Sequence, residues 1–260
     1  METHQYHSES SLERFHWWFK GRRRLLKKIL RDFWITEDAY ILDVGCSSGT
    51  NLRCYEETRH LNYQPVDKSP EAASIIKKKE FNEVILASAT DLPFASNTFD
   101  FVSATDVLEH IEDDHIAIQE ILRVLKPNCV AYFTVPCHQF LWGSQDIISH
   151  HIRRYKRGEL KTRLEREGFQ IAKEFYFNSI LLVPILAVRA ATHLLFRLKI
   201  LSTRKSENNI TGNGIANKVL AQLFGLECLA AYAAGNKLPG VSYGCIVRKI
   251  KADPEQAIDH

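Results

Sequence analysis

The 260-residue sequence lacks several patterns that define whole classes of proteins. It contains six cysteines, but no two are separated by only two residues, so a Cys-x-x-Cys zinc or redox site is not indicated. The first residues, Met-Glu-Thr-His-Gln, are polar, so we expect no signal peptide. The cysteine pattern suggests reduced thiols, and together with the polar first residues it favours a cytoplasmic protein. No internal repeat or low-complexity tract is present.

The charged residues and the histidines indicate neither a nucleic-acid partner nor a metal site. The 34 Lys and Arg residues nearly balance the 31 Asp and Glu residues, giving a formal net charge of +3. This balance gives no global signature of nucleic-acid binding, and we expect no nucleic-acid partner. The 11 histidines include no pair at a spacing typical of metal ligands, so we expect no metal site.

Basic and aromatic residues are concentrated near the start of the chain, where Ser10 to Trp34 is predicted to form one helix. Aromatic residues beside many basic ones suit either a cap over a pocket or a helix lying on an anionic membrane. A solvated basic face on a docked helix is an equal alternative. The apolar side carries Phe15, Trp18, Phe19, Leu25, Leu26, Ile29 and Leu30. The basic residues are Arg14, Lys20, Arg22, Arg23, Arg24, Lys27, Lys28 and Arg31.

No uninterrupted hydrophobic run is long enough to span a membrane cleanly. Residues 179–201 are mostly apolar but contain Arg189 and Arg197, and the apolar stretch 215–234 contains Lys218 and Glu227. We therefore predict a helical hairpin over residues 179–238. We expect the hairpin and the N-terminal helix to form an apolar lid over the substrate side of the protein. A satellite core or a homodimer contact is an equal alternative for these two regions.

Between these two regions, strand-like and helix-like segments alternate along the chain. This alternation predicts an α/β fold with a doubly wound, seven-stranded, mostly parallel sheet, with a cap region at 1–37 and the main domain at 38–260. The predicted strands are 40–44, 63–67, 83–87, 99–104, 129–135, 170–177 and 241–250. The predicted helices are 50–60, 70–79, 107–111, 114–125, 157–167 and 215–234.

A glycine-rich turn follows the first predicted strand. Asp43 ends the sequence Tyr-Ile-Leu-Asp, and Gly45 and Gly49 follow it before the next helix. Glycines at this junction allow a ligand close to the backbone, and the helix that follows presents unpaired N–H groups. The spacing lacks the Gly-x-Gly-x-x-Gly run of dinucleotide-binding proteins, which disfavours NAD.

Three further motifs follow in order. Asp67 ends the second predicted strand, where an acid accepts ribose hydroxyls in doubly wound folds. Ser88-Ala89-Thr90-Asp91 and Asp106-Val107-Leu108-Glu109-His110-Ile111 come next. With the glycine turn, these motifs resemble those of the class I S-adenosylmethionine-dependent methyltransferases, most of all the group that contains the quinone-biosynthesis enzymes. The resemblance covers residues 38–178 and the last strand.

That resemblance implies S-adenosylmethionine as the cofactor. The implied cofactor-binding residues are Asp43, Gly45, Cys46, Gly49, Asp67, Lys68, Ser88, Ala89 and Thr105. Two positions depart from the family pattern. The middle glycine is Ser47, which is tolerable if φ is negative there, and Ser88 replaces the acid that usually contacts the adenine amino group.

The resemblance also implies methyl transfer, and we expect a small or amphipathic organic acceptor that is methylated on oxygen. His110 is the candidate base for removing the acceptor's proton. His138, His150, His151 and Tyr155 follow the fifth strand, where substrate-facing loops also gather. The alternatives are a membrane-associated enzyme acting on a lipid or polyprenyl-linked sugar, or a catalytically silent cofactor-binding protein.

Overall fold

The computed structural model describes residues 3–58, 61–180, 214–235 and 238–251, together with 182–184, 186–187 and 191. A seven-stranded sheet with the order β3-β2-β1-β4-β5-β7-β6 lies at its centre. The strands are β1 (Tyr40–Val44), β2 (Asn62–Asp67), β3 (Ile85–Leu86), β4 (Phe99–Thr105), β5 (Leu125–Pro136), β6 (Phe169–Phe177) and β7 (Ser242–Lys249).

Strands β1 to β5 are parallel, whereas β7 runs antiparallel to both β5 and β6. The prediction of a doubly wound, mostly parallel sheet is therefore confirmed. Strand β3 is shorter than predicted, because it pairs with β2 only through Ile85 and Leu86 at the edge of the sheet.

Helices cover both faces of the sheet. One face packs against α2, α3 and α8 through a core that includes Leu26, Leu52 and Phe224. The other face packs against α5 and α7 through Ile118 and Leu164. The helices are α1 (Thr3–Leu12), α2 (Trp17–Asp32), α3 (Thr50–Glu57), α4 (Pro70–Lys78), α5 (Asp114–Val124), α6 (Ser144–Ile148), α7 (Glu159–Arg166) and α8 (Ile215–Ala234).

The single N-terminal helix predicted over 10–34 is wrong, because the chain forms two helices there. His16 adopts an extended conformation, and its ring nitrogen Nδ1 accepts a hydrogen bond from the Trp18 N–H, at 3.3 Å. This side chain therefore caps α2 and restarts the helix at Trp17. The apolar side predicted for the N-terminal helix is confirmed within α2. The residues Leu25, Leu26, Ile29 and Leu30 are buried there.

Helix α2 packs along α8, which is the second half of the predicted hairpin. Trp18 stacks on Phe224 with ring centroids 5.0 Å apart, and the Trp17 N–H donates to Oδ1 of Asn217 at 2.9 Å. Helix α8 thus belongs to the core on this face. Most of residues 181–213, which would form the first half of the hairpin, lies outside the described residues. The division at 37 and 38 and the insertion at 179–238 stay predictions.

Several of the N-terminal basic residues contact the protein itself. Arg22, Arg23, Arg24, Lys27 and Lys28 all bind acidic or polar partners. The alternative of a solvated basic face on a docked helix therefore applies only to part of these residues, and Arg14, Lys20 and Arg31 are exposed. Among the described residues, no helix combines the length and apolar character needed to cross a membrane.

The contact between α2 and α8 depends on a glycine. A Cβ atom at Gly21 would overlap the ring of Phe224, whereas a Cβ at Gly225 would lie 3.2 Å from Cδ of Arg24, a flexible side chain. Alanine favours a helix over glycine by about 1 kcal/mol at either position, but overpacking costs about 1–3 kcal/mol. We expect Gly21→Ala to lower the free energy of unfolding and Gly225→Ala to leave it unchanged or raise it. Urea unfolding measures both, and equal effects of the two variants would contradict this packing.

Candidate functional site

The turn after β1 is held in the left-handed conformation at three positions. The φ angles are 72° at Gly45, 45° at Ser47 and 90° at Gly49. The N–H groups of Gly45 and Cys46 both donate to the carbonyl oxygen of Val66 on β2, at 2.8 and 3.1 Å. The condition under which serine is readily tolerated at position 47, a negative φ, is therefore not met. Its N–H donates to Oδ2 of Asp67 at 2.9 Å, a contact that holds the residue in this conformation.

Neighbouring side chains pack against the turn at Gly45 and Gly49 and leave no room there for a Cβ atom. A Cβ at Gly45 would lie 2.5 Å from Cγ2 of Val107, in the loop that follows β4. A Cβ at Gly49 would lie 2.8 Å from Cδ1 of Ile76 on α4. Both φ angles also disfavour any side chain. Both positions therefore require glycine, with Gly45 partly buried beside the β4 loop and Gly49 buried against α4.

Asp43 lies fully buried beneath the turn. Its Oδ1 accepts hydrogen bonds from Nδ2 of Asn51 at 2.9 Å, from the Tyr55 hydroxyl at 3.2 Å and from Ser103. Its Oδ2 has no hydrogen-bond partner among the described residues. Burial raises the pKa of Asp43 to about 6, although these donors act in the opposite direction. The unpartnered oxygen is available to a water or a cationic group at the turn.

Asp67 lies beside the turn at the carboxyl end of β2. Its Oδ2 accepts from the Ser47 N–H and its Oδ1 from the Ser69 N–H, both at 2.9 Å. Burial raises the pKa of Asp67, and the two N–H donors partly offset this shift. Each carboxylate oxygen keeps a further lone pair, so the side chain can still accept two hydroxyl groups.

The remaining sequence-predicted residues lie around the same edge of the sheet. Cys46 is buried within the turn, and Lys68 is exposed beside Asp67. Ser88 is exposed, and its Oγ lies 2.7 Å from Oγ1 of Thr90. Thr105 accepts from Nδ2 of Asn51 at 3.0 Å. Ala89 is partly buried after β3.

Helix α1 lies against this site, in the N-terminal region that was expected to act as a cap, although the predicted helix began only at residue 10. Oγ of Ser47 donates to Oε2 of Glu9 at 3.0 Å, and Tyr6 packs on Ala72 and Ile75 of α4. Glu9 is half-buried, and burial raises its pKa to about 7. Asp106 and Asp67 raise this pKa further, while Ser47 and Arg22 lower it. Only the polarity of residues 3–12 was visible in the sequence, and polarity alone does not indicate a partner.

Arg22 on α2 reaches the carboxyl ends of β4 and β5, and it too was missed. Its guanidinium pairs with Asp106, and its Nη2 donates to Oγ1 of Thr134 at 2.8 Å. Oγ1 of Thr134 donates in turn to Oδ1 of Asp106 at 2.9 Å. Burial acts to raise the pKa of Asp106, but Arg22 and Thr134 outweigh it, and the pKa lies below its usual range.

His110 lies in the short helix Leu108–His110 after β4 and contacts residues that follow β5. Its ring meets the ring of His151 edge to face at 4.8 Å, and Glu109 lies fully buried beside them. Burial and the neighbouring His151 lower the pKa of His110 to about 4. Burial and Asp106 raise the pKa of Glu109 well above its usual range.

The other candidates after β5 do not join this group. The Tyr155 hydroxyl is buried and donates to Oδ2 of Asp114 at 2.6 Å, a structural contact with α5. His138 stacks on Phe140 and Tyr176. The backbone carbonyl of His150 lies 3.4 Å from Nδ1 of His110, so His150 borders the group through its main chain.

The residues at the turn fit S-adenosylmethionine. The glycine turn, the unpartnered Oδ2 of Asp43 and the carboxylate of Asp67 offer polar groups for a methionine moiety and two ribose hydroxyls. A cavity of about 380 Å³ lined by Phe33 and Arg248 lies at the opposite edge of the sheet. Ligands in such folds bind at the carboxyl ends of the strands, so we assign the site to the turn.

Comparison with known proteins gives a family and distant relatives. A methyltransferase-domain family model matches residues 14–174. An uncharacterized protein of Methanocaldococcus jannaschii is 27% identical over 162 residues, which are 59% of this chain and 60% of that protein. The chloroplastic 2-methyl-6-phytyl-1,4-hydroquinone methyltransferase 1 of Oryza sativa is 29% identical over 137 residues, 51% of this chain and 42% of that protein. The chain thus spans roughly half the length of these relatives.

A solved structure has the same fold over nearly the whole chain. It is a complex between the Haloferax volcanii Trm112 methyltransferase activator and a putative methyltransferase. The match has a TM-score of 0.61, covers 96% of each chain and has 16% sequence identity. At this identity the likeness supports the fold alone.

A substitution at Asp67 tests the cofactor site. Asp67→Asn keeps the size of the side chain. It removes the negative charge and one of the two oxygen atoms that would accept hydrogen bonds from the ribose hydroxyls. Loss of a charged hydrogen-bonding partner costs about 1.5–3 kcal/mol, which is roughly a tenfold to hundredfold loss of affinity. Calorimetry with S-adenosylmethionine measures this loss. Asp38→Asn is the control, because Asp38 is exposed just before β1. Equal affinities of the two variants for S-adenosylmethionine would show that Asp67 does not bind the cofactor.

The docking of α1 should depend on pH through Glu9. The raised pKa of Glu9 means that docked α1 retains a proton which free α1 would lose above its usual pKa of 4.5. Docking is therefore strongest below about pH 4.5, and this contribution is lost as the pH rises through about 7. Hydrogen exchange of residues 3–12, corrected for intrinsic rates, should show less protection at pH 8 than at pH 5.5.

Two variants separate Glu9 from other groups in α1. Glu9→Gln should make the protection nearly independent of pH, because the amide does not titrate. His7→Gln removes the contact between Nε2 of His7 and Glu71, which are 2.7 Å apart, and should keep the Glu9-dependent change. If Glu9→Gln retains the full pH dependence, Glu9 does not control the docking of α1.

Proposed function

The chain belongs to the methyltransferase-domain family, and on this premise we propose that it transfers a methyl group from S-adenosylmethionine to a small or amphipathic organic acceptor, on oxygen. The observation that carries the proposal is the group Glu109, His110 and His151, which lies in the loops after β4 and β5. The loop after β4 borders the glycine turn through Val107. Proton-transferring side chains beside a cofactor turn suit an acceptor that must lose a proton.

The protein's own contribution to this reaction is mainly positioning. The cofactor supplies an activated methyl group, so the enzyme must hold the acceptor atom in line with it. A hydroxyl is a poor nucleophile until its proton leaves, whereas an amine needs less assistance. His110 is the residue that we propose to face the acceptor and assist this deprotonation, because its imidazole lies three residues after Val107, which borders the glycine turn.

A hydrophobic acceptor is favoured by the outer side of α8. Four apolar side chains are more than half exposed there and share one side of the helix, since they are spaced by four, four and three residues. They are Ile215, Val219, Leu223 and Leu226. The relative from Oryza sativa is named for a phytyl-substituted hydroquinone, which is also amphipathic. The second candidate is therefore a membrane-associated methyltransferase that acts on a lipid or polyprenyl-linked acceptor.

Replacing His110 tests the proposed deprotonation. We expect His110→Ala to lower turnover by about 10²–10⁴-fold, the usual range for loss of acid–base assistance, while the affinity for S-adenosylmethionine stays nearly unchanged. Turnover is measured with isotopically labelled methyl donor and a panel of phenols, hydroquinones, amines and prenylated substrates. Mass spectrometry of the product identifies the methylated atom.

His115→Ala is the matched control, because His115 is exposed on α5. Unchanged turnover in His110→Ala would leave His110 with a packing role. A product methylated only on nitrogen or carbon would contradict the assignment to oxygen. Cofactor binding without turnover on the whole panel would favour a catalytically silent protein. Liposome flotation with and without the prenylated substrates distinguishes the membrane-associated candidate.

A further inference from the structure

Three side chains of types that ligate metals meet in the loops after β4 and β5. One ligand atom from each of Glu109, His110 and His151 lies within 4.8 Å of the others. Nε2 of His151 lies 3.9 Å from Oε1 of Glu109. Two imidazoles and one carboxylate form a donor set used for catalytic zinc and for non-haem iron.

Both imidazoles are also contacted at their other ring nitrogen. Nδ1 of His151 lies 3.0 Å from Oδ1 of Asp146, which is itself bound by Nε of Arg154 at 2.8 Å. Nδ1 of His110 lies 3.4 Å from the backbone carbonyl oxygen of His150. Metal-bound histidines usually donate their second N–H to a carboxylate or a carbonyl, which orients the ring and leaves the other nitrogen for the metal. Both histidines have such a partner.

Glu109 supplies an independent observation. Its side chain is 0% exposed, and neither carboxylate oxygen has a hydrogen-bond partner among the described residues. Arg154 and Arg22, whose charges act on Glu109, are paired with other carboxylates: Arg154 with Asp146 and Arg22 with Asp106. A buried carboxylate without a partner costs several kcal/mol if ionised, so it either holds a proton or faces a cation. The two neighbouring imidazoles favour the cation.

We propose that Glu109, His110 and His151 bind one divalent transition-metal ion, of the kind that Zn²⁺ or Co²⁺ represents. A tetrahedral ion with bonds of about 2.0–2.2 Å places its ligand atoms about 3.3–3.5 Å apart, so the side chains must close by about 1 Å. Three protein ligands leave one position open, which an acceptor oxygen fits. The ion would polarise that oxygen, so that His110 assists deprotonation as a ligand. Only this last consequence rests on the proposed function.

Titration of the full chain with Co²⁺ alone, after dialysis against a chelator, tests the site. We expect one equivalent of Co²⁺ per chain and the visible absorption bands of an ion with nitrogen and oxygen ligands. Zn²⁺ should displace the bound Co²⁺ and abolish these bands. Neither readout depends on methyl transfer, so a failure of the metal site and a failure of the proposed function are distinguishable.

Variants localise the ion. Glu109→Gln keeps the shape of the side chain but removes the charge, and we expect it to weaken Co²⁺ binding by about 100-fold or more. Asp146→Asn should weaken binding by about 10–100-fold, the usual effect of a residue that orients a ligand. Glu112→Gln and His115→Gln are matched controls at exposed positions next along the chain, and they should bind Co²⁺ like the unaltered protein. Circular dichroism verifies that each variant is folded.

Two results would overturn the proposal. One is the absence of stoichiometric Co²⁺ binding in the unaltered protein. The other is equal Co²⁺ affinity in Glu109→Gln and the unaltered protein, which would place the ion on other residues. In either case Glu109 is a buried neutral acid, and His110 can assist deprotonation only directly.

Discussion

The ion pair between Arg22 and Asp106 is the contact on which the rest of the site depends. Asp106 adopts a left-handed conformation, with φ of 57°, directly after β4. Its N–H donates to the carbonyl oxygen of Thr134 at 2.9 Å, so one residue joins β4, β5 and α2. The Arg22 side chain is largely buried and the Asp106 side chain is 33% exposed, so loss of Asp106 would leave the guanidinium poorly solvated and without its partner. The position of α2 and the shape of the β4 loop are therefore set together.

A second buried cluster joins the N-terminal segment to the glycine turn. The carboxylate of Glu13 is almost fully buried and pairs with Arg23, Arg53 and Lys79, at 3.3, 2.9 and 3.1 Å. Nζ of Lys79 also donates to the carbonyl oxygen of Ser48 within the turn, at 2.7 Å. Residues 3–32 thus contact the glycine turn of the candidate site, even though the sheet begins only at residue 40.

The sequence predicted the parts of the fold that depend on local pattern. Buried strands such as β1 are short apolar runs, and Asp67 was identifiable because it ends such a run beside a glycine turn. The break at His16 was not predictable, because a histidine caps a helix only when its ring happens to reach the backbone. Glu9 and Arg22 were missed for a related reason: a charged residue in a helix carries no information about its distant partner.

The acceptor side of the site shows the same limit of sequence reasoning. Glu109 and His151 are far apart in the chain, and no local spacing joins them. The tertiary contact that brings them together is a backbone hydrogen bond, from the N–H of Ile152 to the carbonyl oxygen of Glu109, at 2.9 Å. The glycine turn behaves differently, because its residues are consecutive. Ser47 nevertheless takes a positive φ, since Asp67 and Glu9 stabilise it through contacts that the local sequence does not contain.

Helix α1 lies over one side of the candidate site only. Tyr6 and Glu9 lie over Asp67 and the turn, on the α4 side, whereas His110 and His151 border the loops after β4 and β5. On the proposed function, a cofactor bound at the turn would lie beneath this short helix, so its exchange would require the helix to lift away. A methylated product would then depart before the cofactor, and the rate at which a ten-residue helix undocks would be an upper bound on the cycle.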